Sequence, residues 1–322
     1  MNASAMFENQ GAVLLAQSDG CAVWQFRNDT GDGTMTAYQV FPGVLLSFND
    51  FHMERYDCGF VPDRRILAID HCREGRMEYA AGPGRVAYTE AGDMKLDLRE
   101  EHTGTFQFPS CHYHGLTVAF DREIAGPALA EEVRDFPVTP EAVIRRFQLG
   151  RLPRVIHGAE GMEHIFGEMY RVPEKIRIPY FKVKILELLL CLDAMTIPRE
   201  DTERPYFYKS QAEKVKAVKG FLTEHLAENF TQEELSRRFG IPMTAMKTCF
   251  RSIYGAAMGS WLMSYRMNRA AELLLRERDR SVAEIAGRVG YDNAGKFTEA
   301  FKKVMKLTPT EYRRERGAHY EN

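Results

Sequence analysis

Two stretches in the last third of the chain share one local design: "TQEELSRRFGIPMTAMKTCF" from Thr231 and "SVAEIAGRVGYDNAGKFTEAF" from Ser281, fifty residues apart. Each opens on a capping box, Thr231 with Glu234 and Ser281 with Glu284, in which hydroxyl and carboxylate satisfy each other's orphan backbone amides. An apolar residue beside a small one follows, Leu235-Ser236 and Ile285-Ala286, and the small side chain lets a second helix cross closely. Each first helix runs to a glycine, Gly240 or Gly290, suited to a left-handed C-cap. Beyond the turn, apolar residues recur four apart: Met246 and Phe250, then Phe297 and Phe301. If these face inward, the positions between them face outward. The outward set is Thr244, Lys247, Thr248 and Arg251 in the first unit. In the second it is Gly295, Lys296, Glu299, Lys302 and Lys303.

One helix, tight turn and helix is also what a generic helical hairpin looks like. Two copies on a basic background favour a pair of helix-turn-helix units that read DNA. The background is basic only locally. Residues 209–322 hold 21 Lys+Arg against 14 Asp+Glu, a net of +7, while the remainder carries −9 behind a total of −2. Such asymmetry assigns a polyanionic partner to the C-terminal part. Between the units, "SWLMSYRMNRAAELLL" predicts a helix able to hold two recognition helices in successive major grooves, roughly 34 Å apart.

These residues resemble the DNA-binding domain of the AraC/XylS family of bacterial transcription regulators. The resemblance covers residues 210–316. It rests on Ile285-Ala286, Gly290-Tyr291, Lys296-Phe297, Ala300-Phe301-Lys302-Lys303 and Thr308-Pro309-Thr310-Glu311-Tyr312-Arg313, with Arg266, Ala270, Leu273 and Leu274 in the linker. "MKTCFRSIYG" and "KFTEAFKKV" further resemble the subgroup of pyochelin and yersiniabactin siderophore regulators. Three positions depart from the family's pattern. Pro242 replaces a capping serine, Thr248 replaces an arginine able to contact guanine, and Gly295 replaces a serine.

The first 125 residues alternate apolar and polar side chains between glycine-bearing turns, as in "RILAIDHCREGRMEYAAGPGRVAYTEAGDMKLDLREE". That pattern predicts short antiparallel strands forming a small barrel or sandwich. Helical spacing follows in "VTPEAVIRRFQLG", "GAEGMEHIFGEMYRV" and "PYFKVKILELLLCLDAM", before an exposed connector at Pro198–Ser210. The resemblance implies an α+β chain. By the same resemblance, residues 1–125 are expected to form a cupin-like β-barrel head that senses a ligand, 126–203 a helical dimerisation and connector region, and 209–322 the all-α domain with two helix-turn-helix units. The apolar strip Ile185, Leu186, Leu189 and Leu190 is the candidate dimer interface, and packing onto the chain's own barrel is the alternative use of it.

Candidate ligand-pocket residues are Tyr38, Phe48, His112 and His114, although a barrel core needs aromatics for its own sake. His112-x-His114 places two imidazoles on one strand face, where both can reach one ion. No carboxylate follows at the spacing of a cupin metal site and the next histidine is His157, so no metal or other cofactor is assigned. His52, His71 and His102 stand isolated in sequence.

Six cysteines without a Cys-x-x-Cys pair read as packed thiols of a reducing compartment. "MNASAMFENQ" lacks a signal-peptide pattern, and "ILELLLCLDAM" is too short to span a membrane. The expectation is a cytosolic, non-enzymatic, homodimeric regulator without membrane association. By the resemblance it is an activator whose partners are promoter DNA, a small-molecule effector and RNA polymerase. The alternatives are a cupin-type enzyme fused to a DNA-binding domain, and a DNA-binding dimer that responds to no ligand.

Overall fold

The computed structural model describes residues 12–18, 20–58, 66–99, 104–158, 161–197 and 205–317. Met1–Gln10, His102 and most of the expected connector lie outside the described residues. The chain divides into two compact units, Met1–Tyr206 and Phe207–Asn322.

In the first unit the alternating runs become strands β1 (Ala12–Ser18), β2 (Cys21–Asn28), β3 (Gly31–Phe41), β4 (Val44–His52), β5 (Arg55–Cys58), β6 (Ile66–Gly75), β7 (Glu78–Ala80), β8 (Arg85–Tyr88), β9 (Met94–Arg99), β10 (Gly104–Gln107) and β11 (Tyr113–Asp121). Helices α1 (Ala125–Glu132) and α2 (Pro140–Arg146) follow, then β12 (Arg154–Ile156), α3 (Glu163–Met169) and α4 (Arg177–Ala194). Eight strands pair in the order β1-β2-β3-β4-β11-β6-β9-β12, and β5 and β10 form a separate ribbon. Among the described residues the large ladder stays open at β1 and β12, where the expectation was a closed barrel. The physical reason is visible at both ends. Nearly all of β1 is exposed, and packed helices take the place of a barrel's far wall.

One face of the sheet presents Leu46, Leu67, Leu96, Leu116, Val118 and Phe120 to the helices, which contribute Leu129, Val143, Phe166, Phe181, Ile185 and Leu188. Residues 126–197 are therefore a layer of the head, sharing its core. The opposite face carries Trp24, Phe26, Phe51, Phe108 and Tyr113, with Tyr56 and Phe106 of the β5–β10 ribbon against it. Helix α1 was not anticipated, because "AGPALAEE" begins on Ala-Gly-Pro. Pro127 falls in the first turn, where its missing N–H costs nothing.

The second unit contains α5 (Lys209–Glu224), α6 (Gln232–Phe239), α7 (Met243–Tyr254), α8 (Met258–Arg276), α9 (Val282–Arg288), α10 (Ala294–Met305) and α11 (Pro309–Gly317). Helix α8 has 19 residues, about 28 Å of helix. Its N-terminal end joins the first helix pair, with the Trp261 ring edge-on to Phe250 at 5.6 Å. Its C-terminal end supplies Met267, Ala270, Ala271 and Leu274 to the core of the second pair. No helix among the described residues is long and apolar enough to cross a membrane.

Candidate nucleic-acid interface and head cavities

Both capping boxes form. Thr231 Oγ1 accepts from the Glu234 amide at 3.2 Å, and Glu234 Oε2 accepts from the Thr231 amide at 2.7 Å. Ser281 and Glu284 repeat the arrangement at 3.1 and 2.8 Å. Gly240 adopts φ 56°, which ends α6 and turns the chain into α7. Met246, Phe250, Phe297 and Phe301 are fully buried. Burial of each of these phenylalanines is worth about 1.5–3 kcal/mol relative to exposure. The remaining faces of α7 and α10 are turned outward as a consequence. Thr244, Lys247, Thr248, Arg251, Gly295, Lys296, Glu299, Lys302 and Lys303 are all exposed.

Among the described residues, Lys247, Arg251, Lys296, Lys302 and Lys303 make no ion pair. The cations around α9 differ, because Arg280 pairs with Glu277 and Glu284 while Arg288 pairs with Glu277. The two outer faces thus carry cations without an ion-pair partner among the described residues.

The three departures from the family pattern have local consequences. Pro242 precedes α7 and gives it no side-chain cap, so α7 starts unaided. The second helix start is capped by Asn293, whose Oδ1 accepts from the Lys296 amide at 2.9 Å. A Cβ on Gly295 would stand 3.1 Å from that Oδ1, so the glycine leaves room for the cap. Asn293 was missed at the sequence level, where attention fell on the glycine. Arg266 is a buried organiser: Nη2 donates to the Glu228 carbonyl at 2.6 Å and Nη1 to Asn229 Oδ1 at 3.0 Å. Gly290, at φ 82°, packs so closely that a Cβ there would lie 2.7 Å from Arg266 Cζ. That contact demands glycine twice over, by conformation and by space.

In the head, Tyr38, Phe48 and His114 do converge. With Tyr170, Arg177 and Phe181 they line a cavity of 260 Å³. Arg177 Nη1 donates to Tyr38 Oη at 3.2 Å, and the His114 ring meets Tyr170 edge-on at 5.2 Å. His112 is not part of this cavity. It faces His52, so of the four candidate pocket residues His112 stands apart from the other three. The ring beside His114 is Tyr170, brought there by the turn after α3.

The dimer strip is also divided. Ile185 and Leu189 are fully buried in the head's own core, which removes them from any interface. Leu190 is 44% exposed and Val183 59%, with Leu186 partly buried between them. The outward side of α4 is thus Val183, Leu186 and Leu190.

A buried polar network escaped the sequence reading. Asp70 is paired with Lys95 at 3.0 Å and Arg99 at 2.8 Å, and accepts from the Thr117 hydroxyl at 2.6 Å. Burial alone would raise its carboxyl, but the two cations hold it well below the usual carboxylate range. Thr117 in turn accepts from Asn49 Nδ2 at 3.1 Å. Asn49, Asp70, Arg99 and Thr117 form the polar floor of a second cavity, 110 Å³, between the sheet and the β5–β10 ribbon. Pairing across strands cannot be read from one strand, so the network left no sign in the sequence alone. No disulfide joins the five cysteines whose side chains are described.

Comparison with known proteins locates similarity in the second unit. A family model described as a helix-turn-helix domain matches residues 235–315. The chain is 29% identical over 99 residues to the HTH-type transcriptional regulator ExsA of Pseudomonas aeruginosa, covering 31% of this chain and 35% of that one. It is 30% identical over 104 residues to the HTH-type transcriptional activator RhaR of Mannheimia succiniciproducens, covering 32% and 37%. Among solved structures it is similar to the DNA-binding domain of AdpA, a global transcriptional factor, in complex with a target DNA. There the identity is 31%, over 33% of this chain and 95% of that chain, with a TM-score of 0.32. The chain spans about a third of the length of the curated relatives it matches.

Proposed function

Through residues 235–315 the chain belongs to the AraC/XylS family of transcription regulators, and from that premise we propose that it is a one-component regulator binding promoter DNA with α7 and α10. The observation that carries the reading is the pair of outer faces on these helices, exposed, cationic and without ion pairs among the described residues. Lys247 and Lys296 enter successive major grooves as direct readers, while Arg251, Lys302 and Lys303 approach phosphates. Thr244, Thr248, Gly295 and Glu299 complete the surface that meets the bases. Helix α8 sets the separation, so one chain spans two half-sites about one helical turn apart.

The head acts as the sensor and dimeriser. The Tyr38–Phe48–His114 cavity is sized for a small effector with an aromatic or apolar body, and Arg177 at its wall favours an acidic group. Leu186 and Leu190 meet their equivalents in a second copy. Activation through contact with RNA polymerase is the output, in line with the activator name of the Mannheimia relative. Selection of genomic fragments by the full-length protein tests the reading. Enrichment of a short common sequence with two elements about 10 base pairs apart is expected. Recovery of fragments without any shared sequence at physiological salt would refute it.

A further inference from the structure

His52 closes β4 and His112 immediately precedes β11, the strand paired with it. Their rings lie 5.0 Å apart with the two Nδ1 atoms facing at 3.4 Å. Each ring turns its other nitrogen to a carboxylate. His52 Nε2 is 3.1 Å from Asp50 Oδ1, and His112 Nε2 is 3.4 Å from Glu74 Oε2. An ionised carboxylate only accepts hydrogen bonds, so the tautomer these contacts favour in a neutral ring carries its proton on Nε2. Both Nδ1 atoms are then left as lone pairs pointing at one another. Two acceptors in that position repel unless a cation lies between them.

We infer that His52 and His112 form a divalent transition-metal site, with Asp50 and Glu74 orienting the two imidazoles. Zinc is the ion whose geometry fits. Two nitrogens bound at ~2.0–2.1 Å with tetrahedral angles stand about 3.3–3.4 Å apart, and the observed separation is 3.4 Å. A carboxylate behind each metal-bound imidazole fixes the tautomer and raises ligand basicity. Asp50 stands close to the pair, with one donor atom each of Asp50, His52 and His112 within 4.8 Å of the others. All four side chains are open to solvent, so an ion has access and two coordination positions remain for water or a chelating molecule.

The backbone at both ligands is held tightly. A Cβ on Gly31 would stand 2.0 Å from the His52 carbonyl oxygen, and one on Gly75 would stand 2.0 Å from the His112 carbonyl oxygen. Both glycines have positive φ, 146° and 82°, so each neighbouring strand approaches a histidine where only glycine fits. Cys111, just before His112, takes a φ of 55°, and Ser110 Oγ donates to the His112 carbonyl at 2.9 Å. The site therefore sits on a constrained turn and a strand end, which favours preorganised ligands. It is distinct from the Tyr38–Phe48–His114 cavity, and it stands whether or not the DNA-binding reading holds.

The test is zinc titration of the full-length, reduced protein by calorimetry, alongside His52→Gln and His112→Gln. Circular dichroism of each variant establishes that it is folded. One equivalent of zinc is expected for the wild type, with affinity at least ~10-fold weaker in each histidine variant, and weaker by a similar factor in Asp50→Asn. Substitution by cobalt reads the donors directly, since a tetrahedral nitrogen-oxygen set gives intense visible bands without thiolate charge transfer. Unchanged affinity in both histidine variants would overturn the proposal, as would a cobalt spectrum with thiolate bands. So would the absence of zinc binding to the wild type, which would leave a shared proton as the only cation between the rings.

Discussion

At the scale of single residues, the proposed reading of DNA falls on side chains that contribute little to the fold. Lys247 and Lys296 are exposed and make no ion pair among the described residues, so truncating them removes nothing from the core. Lys247→Ala and Lys296→Ala are each expected to cost about 1–3 kcal/mol at the specific site and less on random DNA, with folding unchanged. Fluorescence anisotropy on specific and scrambled duplexes checks this. Equal losses on both would reassign these lysines to phosphate contacts. His71 shows the opposite case, a histidine whose environment decides its charge. It is 8% exposed and stacked on Phe166 at 4.1 Å. Burial lowers its pKa from 6.5 to about 4, against a smaller opposing pull from Asp93. Because the folded-state value lies below that of the unfolded chain, the stabilisation is complete above about pH 6.5 and is lost as pH falls towards 4. The head should lose up to about 3 kcal/mol over that window. Urea unfolding of wild type and His71→Gln at several pH values measures it. A profile equally steep in the variant would show that another group is responsible.

At the scale of elements, α4 shows how one helix divides its labour. Its 18 residues hold Phe181, Ile185, Leu188, Leu189 and Leu192 against the sheet. Val183 and Leu190 are left uncovered, and Leu186 partly so. The apolar run "ILELLLCLD" is too rich for a single face, which is why periodicity alone could not tell core from interface. With the burial known, Leu186→Glu combined with Leu190→Glu is expected to give a folded monomer, because both charges stand towards solvent. Sedimentation velocity decides the matter. Dimers that persist would place the interface elsewhere, and an unfolded protein would show that the strip belongs to the core. The two helix-turn-helix units were easier to read. Each depends on features spaced within a few turns: a capping box, an i,i+4 apolar pair and a glycine of positive φ at the turn.

At the scale of the whole molecule, the second unit holds α7, α10 and its own core, so the proposed DNA binding is expected to persist in it alone. A fragment beginning at Phe207 should still bind the specific site. It should lose any response to effector, and it should lose dimer avidity, worth 10²-fold or more where two sites are engaged. Gel-shift titration of the fragment and the full chain on single and paired sites is the measurement, and a fragment unable to recognise single sites would refute the expectation. The sequence by itself determined the two helix-turn-helix units, their outward residues and the strand-rich head, because these rest on interactions between residues near in the chain. Only the tertiary structure decided which strands are neighbours. From that came the open edge at β1 and β12, the Asp70–Lys95–Arg99 network across β6 and β9, and the split between the Tyr38–Phe48–His114 cavity and the His52–His112 pair. His52 and His112 lie 60 residues apart and read as isolated in the text of the chain. Strand alternation tells which face a side chain takes, but register between distant strands is settled by the packing of the whole sheet.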